Sequence, residues 1–277
     1  MKILIELPTW LGDCIMATPA IENIVNFDND TQITLIGSFV SIEALENHPK
    51  VVKTIVLDKK YSALYKIAKS LGGFDVFFSF RSSTRSKFLK FLISAKNKYQ
   101  FDKNTYIDSH QVEKYNNFVN DSLNTDFPAG KLTLSAISHR PSTNKTVGLN
   151  PGASYGSAKR WYPQEFAKVA SELSSEYDIV IFGGPNEVDI AKDIEKSLIK
   201  NNVTNYQNLA GKTSIAELIS QLSNLDLFIT GDSGPMHVAA AFQIPTVAIF
   251  GPTKDNETSQ WMNDKSIIVK KNLECQP

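Results

Sequence analysis

Short apolar runs alternate with amphipathic stretches along most of the chain. "KILIEL" (2–7), "QITLIG" (32–37) and "VKTIVL" (52–57) predict β-strands, and "FDVFFSF" (74–80) reads as a strand buried on both faces. After the first strand, "PTWLGD" predicts a turn. "CIMATPAIENIV" then predicts one helix with Ile21, Ile24 and Val25 on its inner face. The segment 128–145, rich in Pro, Ser, Thr and Asn, breaks the rhythm and predicts a linker.

The alternation then restarts. "TVGLN" (146–150) predicts a strand and "PGASYGSAKRWYP" a long loop. "PQEFAKVASEL" predicts a helix with Pro163 in its first turn. "YDIVIFGG" (177–184) predicts a strand, and "TSIAELISQLSN" a helix capped by Thr213 or Ser214 with Glu217 closing a capping box. "LDLFITG" and "PTVAIFG" predict two further buried strands. Two strand–helix series imply an α/β protein of two Rossmann-like, doubly wound parallel-sheet domains, 1–140 and 141–277.

Composition narrows the function. Lys plus Arg and Asp plus Glu both number 29, a balance that excludes a broadly basic nucleic-acid binder. Cys14 and Cys275 lie in no metal-type spacing and fit a reducing compartment. The N-terminal run carries Glu6 and ends at Pro8, unlike a signal peptide, and no stretch approaches the ~18 apolar residues of a spanning helix. These features predict a cytoplasmic protein.

Four stretches carry candidate chemistry. In "GDSGPMHVAAA" (231–241) an apolar strand runs straight into a helix. Backbone N–H groups at such a helix start bind anions, Ser233 adds a hydroxyl, Gly234 admits a phosphate, and His237 lies in the first turn. Asp232 would repel phosphate and suits a sugar hydroxyl. The alternative is a tight turn before a core helix. In "LNPGASYGSAKRWYP", Lys159 can neutralise a diphosphate leaving group and Ser154 can donate to it; the alternative is surface cations. In "ELPTWLGDCIMATPA", Asp13 either takes a proton from an acceptor hydroxyl or caps the helix beginning at Cys14. The stretch 81–98, with Arg81 and Arg85, contains six cations and no acid. It would bind an anionic acceptor or lipid headgroups, or is a solvated helix face. No histidine cluster predicts a metal site.

Together, "MKILIELPTWLGDCIMATPAI", "LNPGASYGSAKRWYP" and "ITGDSGPMHVAAAFQIPTVAIFGPT" resemble the bacterial ADP-heptose:lipopolysaccharide heptosyltransferases, and most of all the heptosyltransferase II branch. The resemblance implies a GT-B-type fold whose domains face across a cleft. It implies inverting, metal-independent transfer of L-glycero-D-manno-heptose from ADP-heptose to the lipopolysaccharide or lipooligosaccharide inner core of Gram-negative bacteria. The second heptose, onto heptosyl-Kdo-lipid A, is the expected product, with no cofactor beyond the donor substrate.

By motif match, Asp13 takes the general-base position, beside Gly12, and Lys159 the diphosphate position. Asp232, Ser233, Gly234 and His237 take donor positions, Thr213 and Ser214 nucleotide positions, and Glu187 a position near the ribose. Arg81 and Arg85 fall in the acceptor domain. We expect a monomer in peripheral contact with the cytoplasmic face of the inner membrane, binding ADP-heptose and a lipid A-core acceptor but no nucleic acid. GT-B-type chains continue into a helix that returns to the first domain. This sequence stops at "KNLECQP", so that helix is expected to be missing. Competing readings are a heptosyltransferase I adding the first heptose to Kdo-lipid A, a sugar-nucleotide epimerase of the same architecture, and a non-catalytic nucleotide-sugar sensor.

Overall fold

A computed structural model describes residues 1–136, 144–153 and 156–271. The chain folds as two compact units, Met1–Ser135 and Ala136–Pro277. The boundary expected at 140 and 141, like Ser154 and Cys275, lies outside the described residues.

The first unit is a five-stranded parallel sheet of β1 (Lys2–Glu6), β2 (Gln32–Gly37), β3 (Val51–Val56), β4 (Gly73–Ser79) and β5 (Ser94–Gln100) in the order β3-β2-β1-β4-β5. Between strands run α1 (Leu11–Met16), α2 (Thr18–Phe27), α3 (Phe39–Leu45), α4 (Tyr61–Ser70) and α5 (Thr84–Leu92), with α6 (Gln111–Leu123) after β5. Parallel pairing requires such crossovers, and their helices bury both faces of the central strands. Ile3, Leu4, Ile5, Phe77 and Phe78 are accordingly inaccessible to solvent.

Two expectations change here. The single helix over 14–25 is two, broken at Ala17, because Pro19 in the first turn of α2 has no N–H to continue a ladder. The basic stretch 81–98 is not one helix face, since α5 stops at Leu92 and the chain re-enters the sheet as edge strand β5. The Lys-rich run "SAKNKYQ" suits a sheet edge, where charge discourages pairing with another chain. The start of the expected linker is fastened to the first unit. Asn23 Nδ2 donates to the Pro128 carbonyl at 3.0 Å, and the Thr133 N–H donates to Thr18 Oγ1 at 3.0 Å. Thr133 Oγ1 and His48 Nε2 both reach Glu22 Oε1, at 3.0 and 3.2 Å.

The second unit is a six-stranded parallel sheet in the order β11-β10-β9-β6-β7-β8. Its strands are β6 (Thr146–Asn150), β7 (Asp178–Ile181), β8 (Tyr206–Asn208), β9 (Leu227–Gly231), β10 (Thr246–Phe250) and β11 (Ser266–Lys270). Its helices are α7 (Pro163–Leu173), α8 (Val188–Lys200), α9 (Ile215–Leu222), α10 (Gly234–Ala241) and α11 (Asp255–Thr258). Ser214 caps α9 by accepting from the Glu217 N–H at 3.1 Å, and Glu217 Oε2 accepts from the Ser214 N–H at 2.8 Å.

Both sheets reverse strand order once, between β1 and β4 and between β6 and β9. Such switch points open a crevice at the carboxyl ends of the strands, where ligands bind. Gly148 sits in the central strand β6, and a Cβ there would lie 2.4 Å from Leu225 Cδ1 and 2.9 Å from Phe182 Cε2. Gly148→Ala is therefore expected to destabilise the protein by about 1–3 kcal/mol, as overpacking does; urea denaturation measures it, and an unchanged midpoint would contradict this packing.

Candidate active site

The second switch point collects the polar side chains at the ends of β6 and β9. Asn150, the last residue of β6, donates through Nδ2 to Ser233 Oγ at 3.1 Å, Thr230 Oγ1 at 3.3 Å and the Gly152 carbonyl at 3.3 Å. Asp232, buried just beyond β9, accepts from Lys159 Nζ at 2.6 Å and Thr253 Oγ1 at 2.7 Å. One carboxylate thus joins the β6 loop, the β9 turn and the β10 loop. The ion pair is mostly screened from water, with side-chain exposures of 20% for Lys159 and 7% for Asp232.

Asp232, expected to meet a sugar hydroxyl, and Lys159, expected to meet a diphosphate, are thus partners of one another. Backbone approach holds the lysine loop in place. A Cβ on Gly231 would lie 3.1 Å from the Lys159 carbonyl, and one on Gly251 would lie 3.1 Å from the Ala158 carbonyl.

Ser233 is the N-cap of α10, and its hydroxyl makes no capping bond. Gly234 and Pro235 open the helix, and His237 is buried within its first turns. Glu187, on the β7 side, is also buried, and its Oε2 accepts from the Gly184 N–H at 2.7 Å. A Cβ on Gly152 would fall 2.1 Å from the Glu187 Cδ, so the β6 loop lies directly against this carboxylate. Thr213 and Ser214 lie at the front of α9, where the Ser214 oxygen already serves as the cap.

The first switch point is built differently. Asp13 is the third residue of α1, whose N-cap is Trp10, so Asp13 is not the cap of a helix beginning at Cys14. Its neighbours Gly12 and Cys14 are buried. The Cys14 thiol is pushed well up, chiefly by burial. Tyr115 is raised as well, by burial first and then by the Asp13 charge, which puts that carboxylate close to the phenol.

Glu6, at the end of β1, has no solvent exposure. It accepts from Ser79 Oγ at 2.6 Å and from Ser86 Oγ at 2.9 Å, and Arg81 Nη1 lies 3.7 Å away. Burial holds its carboxyl above the usual range, against the opposing pull of Ser79, Arg81 and Ser86. Glu6 therefore fixes the end of β4, the first turn of α5 and the Arg81 side chain. Arg85, in that turn, donates to the Asp58 carbonyl.

Sequence reasoning missed Glu6, Asn150 and Thr253 as site members. The signal for Glu6 was an acid closing the apolar run of a central strand. Asn150 ends a strand at the switch point, and Thr253 lies in the quoted "FGPT".

The family model for glycosyltransferase family 9 (heptosyltransferase) matches residues 66–277. The chain belongs to glycosyltransferase family 9. A lipooligosaccharide heptosyltransferase 2 of Campylobacter jejuni is 43% identical over 286 aligned residues, covering 100% of this chain and 89% of that protein. A lipooligosaccharide heptosyltransferase 2 of Haemophilus ducreyi is 28% identical over 98% of this chain and 88% of its own length. In structure, the Escherichia coli ADP-heptose lipopolysaccharide heptosyltransferase II matches with a TM-score of 0.85 at 22% identity, over 97% of this chain and 90% of that one. The fold is thus GT-B-type, and this family 9 protein is a glycosyltransferase.

Two substitutions test the geometry. Gly152→Ala is expected to displace Glu187 and destabilise the protein by about 1–3 kcal/mol, as overpacking does; an unchanged urea midpoint would contradict this packing. A carboxyl whose folded pKa is raised contributes stability at low pH and loses it as pH rises through that value. The melting temperature of Glu6→Gln relative to the parent should therefore climb as pH rises above the ordinary carboxylate range; a relative fall would reverse the assignment.

Proposed function

We propose that this glycosyltransferase moves L-glycero-D-manno-heptose from ADP-heptose to the lipopolysaccharide or lipooligosaccharide inner core, adding the second heptose to heptosyl-Kdo-lipid A. The observation that carries the reading is the Lys159–Asp232 pair beside the opening of α10, at the switch point of the second unit. The names and identities of the heptosyltransferase 2 relatives support the choice of donor and acceptor.

In this reading the ADP diphosphate binds at the amides that open α10, with Ser233 and His237 beside it. Lys159 exchanges part of its contact with Asp232 for phosphate oxygen. Asp232, held by Thr253, then accepts from a heptose hydroxyl. Glu187 takes the ribose, and Thr213 and Ser214 adjoin the nucleotide, with Ser154 donating from the β6 loop. On the first unit, Gly12 lets the α1 turn approach the acceptor, and Arg81 and Arg85 hold its anionic groups.

Asp13 takes the proton of the attacking acceptor hydroxyl. The oxygen bonds to the anomeric carbon as the bond to ADP breaks, so configuration inverts in one displacement. Negative charge grows on the leaving diphosphate during that step. Lys159 and the α10 dipole stabilise it more than they stabilise the bound donor, which is the condition for rate acceleration. No metal takes part, and the enzyme works as a monomer in the cytoplasm, in peripheral contact with the inner membrane. Among the described residues no helix is long and apolar enough to cross a membrane.

Incubation with ADP-heptose and a panel of truncated cores is expected to add the mass of one heptose to heptosyl-Kdo-lipid A, with release of ADP and no loss of rate in chelator. Transfer to Kdo-lipid A alone would identify the first-heptose enzyme instead. Asp13→Asn is expected to slow transfer by about 10²–10⁴ while donor affinity persists. Lys159→Ala is expected to weaken donor binding as well; normal transfer by Asp13→Asn would remove it as the base.

A further inference from the structure

Helices α4 and α5 cover one face of the first sheet. Their inward side chains Leu64, Ala68 and Leu89 pack with Leu4, Ile36 and Phe77 in one core cluster. Their outward positions carry aromatic rings that this core leaves out. Phe91 is 80% exposed, Tyr61 53%, Tyr65 46% and Phe88 37%. The Tyr61 and Phe88 rings meet edge to face with centroids 5.3 Å apart, so the two helices present one continuous aromatic patch.

The segment that carries the patch is rich in cations. Between Lys59 and Lys98 the sequence holds ten Lys or Arg residues and one acid, Asp75, in a chain whose net charge is zero. Lys66 and Lys87 are exposed, and Lys69 Nζ lies 4.8 Å from the centre of the Tyr65 ring. Asp75 is engaged at the sheet edge, where Lys96 donates to it at 2.6 Å. An aromatic patch exposed to water carries a standing hydrophobic cost, and interspersed lysines do not remove it.

We propose that the outer face of α4 and α5 docks on an anionic lipid bilayer. Rings such as Phe91 and Phe88 enter the headgroup–acyl boundary, the tyrosines keep their hydroxyls among the headgroups, and the lysine ammoniums reach lipid phosphates. The choice of a bilayer over an acidic protein rests on the reading above, in which the acceptor is a lipid and must be met at a membrane. Docking through the back of the first sheet leaves the carboxyl ends of its strands clear for the acceptor head.

Sedimentation with vesicles tests it, using pure phosphatidylcholine and phosphatidylcholine mixed with phosphatidylglycerol. The protein is expected to pellet with the anionic vesicles, to be released by salt, and to stay in solution with the neutral ones. Each lysine near such a surface contributes about fivefold to binding. Lys87→Glu with Lys90→Glu, and separately Phe91→Ser, are therefore each expected to lower binding about tenfold or more. Lys192→Glu with Lys196→Glu, the same charge change on α8, is expected to leave it within about twofold.

Turnover on a deacylated, water-soluble acceptor should not change in any of these variants. That assay also stands as the separate test of heptosyl transfer itself. Failure of the parent protein to bind anionic vesicles would overturn the proposal, as would variants that bind as it does. An equal loss in the α8 control would reduce the effect to overall charge. A loss of turnover on the soluble acceptor would assign the face to the acceptor head instead. Should Phe91→Ser not fold, the Lys87 and Lys90 pair carries the test alone.

Discussion

The second unit is organised around a buried carboxylate. Asp232 sits just past β9 and binds the Lys159 ammonium and the Thr253 hydroxyl, so three connections after three different strands meet on one acid. Removing one partner of a buried pair costs about 3–5 kcal/mol, because the remaining charge is stranded. The lysine loop therefore cannot drift from the strand ends, and Gly231 and Gly251 keep the space into which its backbone fits. What reads in sequence as a long loop is held at Gly152 and again at Lys159.

The first unit solves a similar problem with another charge. Glu6 lies at its switch point as Asn150 and Asp232 lie at theirs, and each draws groups from neighbouring strand ends into one network. Glu6 uses two hydroxyls close by and a guanidinium at longer range. Arginine suits that place because its planar fork matches a carboxylate.

Much of this fold was legible in the chain. The central strands read correctly because a parallel sheet covered on both faces leaves runs such as "FFSF" and "LFIT" with little polar interruption. The strand ends at Asn150 and Gly231 were legible because glycine and small polar residues stop such runs. Edge strands β5 and β11 were not, since "SAKNKYQ" is polar enough to pass for a surface helix. The break between α1 and α2 was announced by Pro19 and overridden by apolar spacing that continues through it. Among site residues, Asp232 and Lys159 stood out as types, but their pairing did not. They are separated by 73 positions, and no local pattern reports which distant cation an acid will meet.

The strand order carries one further consequence, for how the chain folds. In both units the nearest neighbours along the sequence, β1 with β2 and β6 with β7, are stitched early, while the pairings that define each crevice are distant. Glu6 reaches Ser86 across 80 positions, and Asn150 reaches Thr230 across 80. Closing loops of that length is entropically slow compared with the helices and short crossovers inside them. Each half of the molecule therefore assembles its scaffold first and its ligand-facing seam late, and a nascent chain does not have either seam until well over half of that unit has been synthesised.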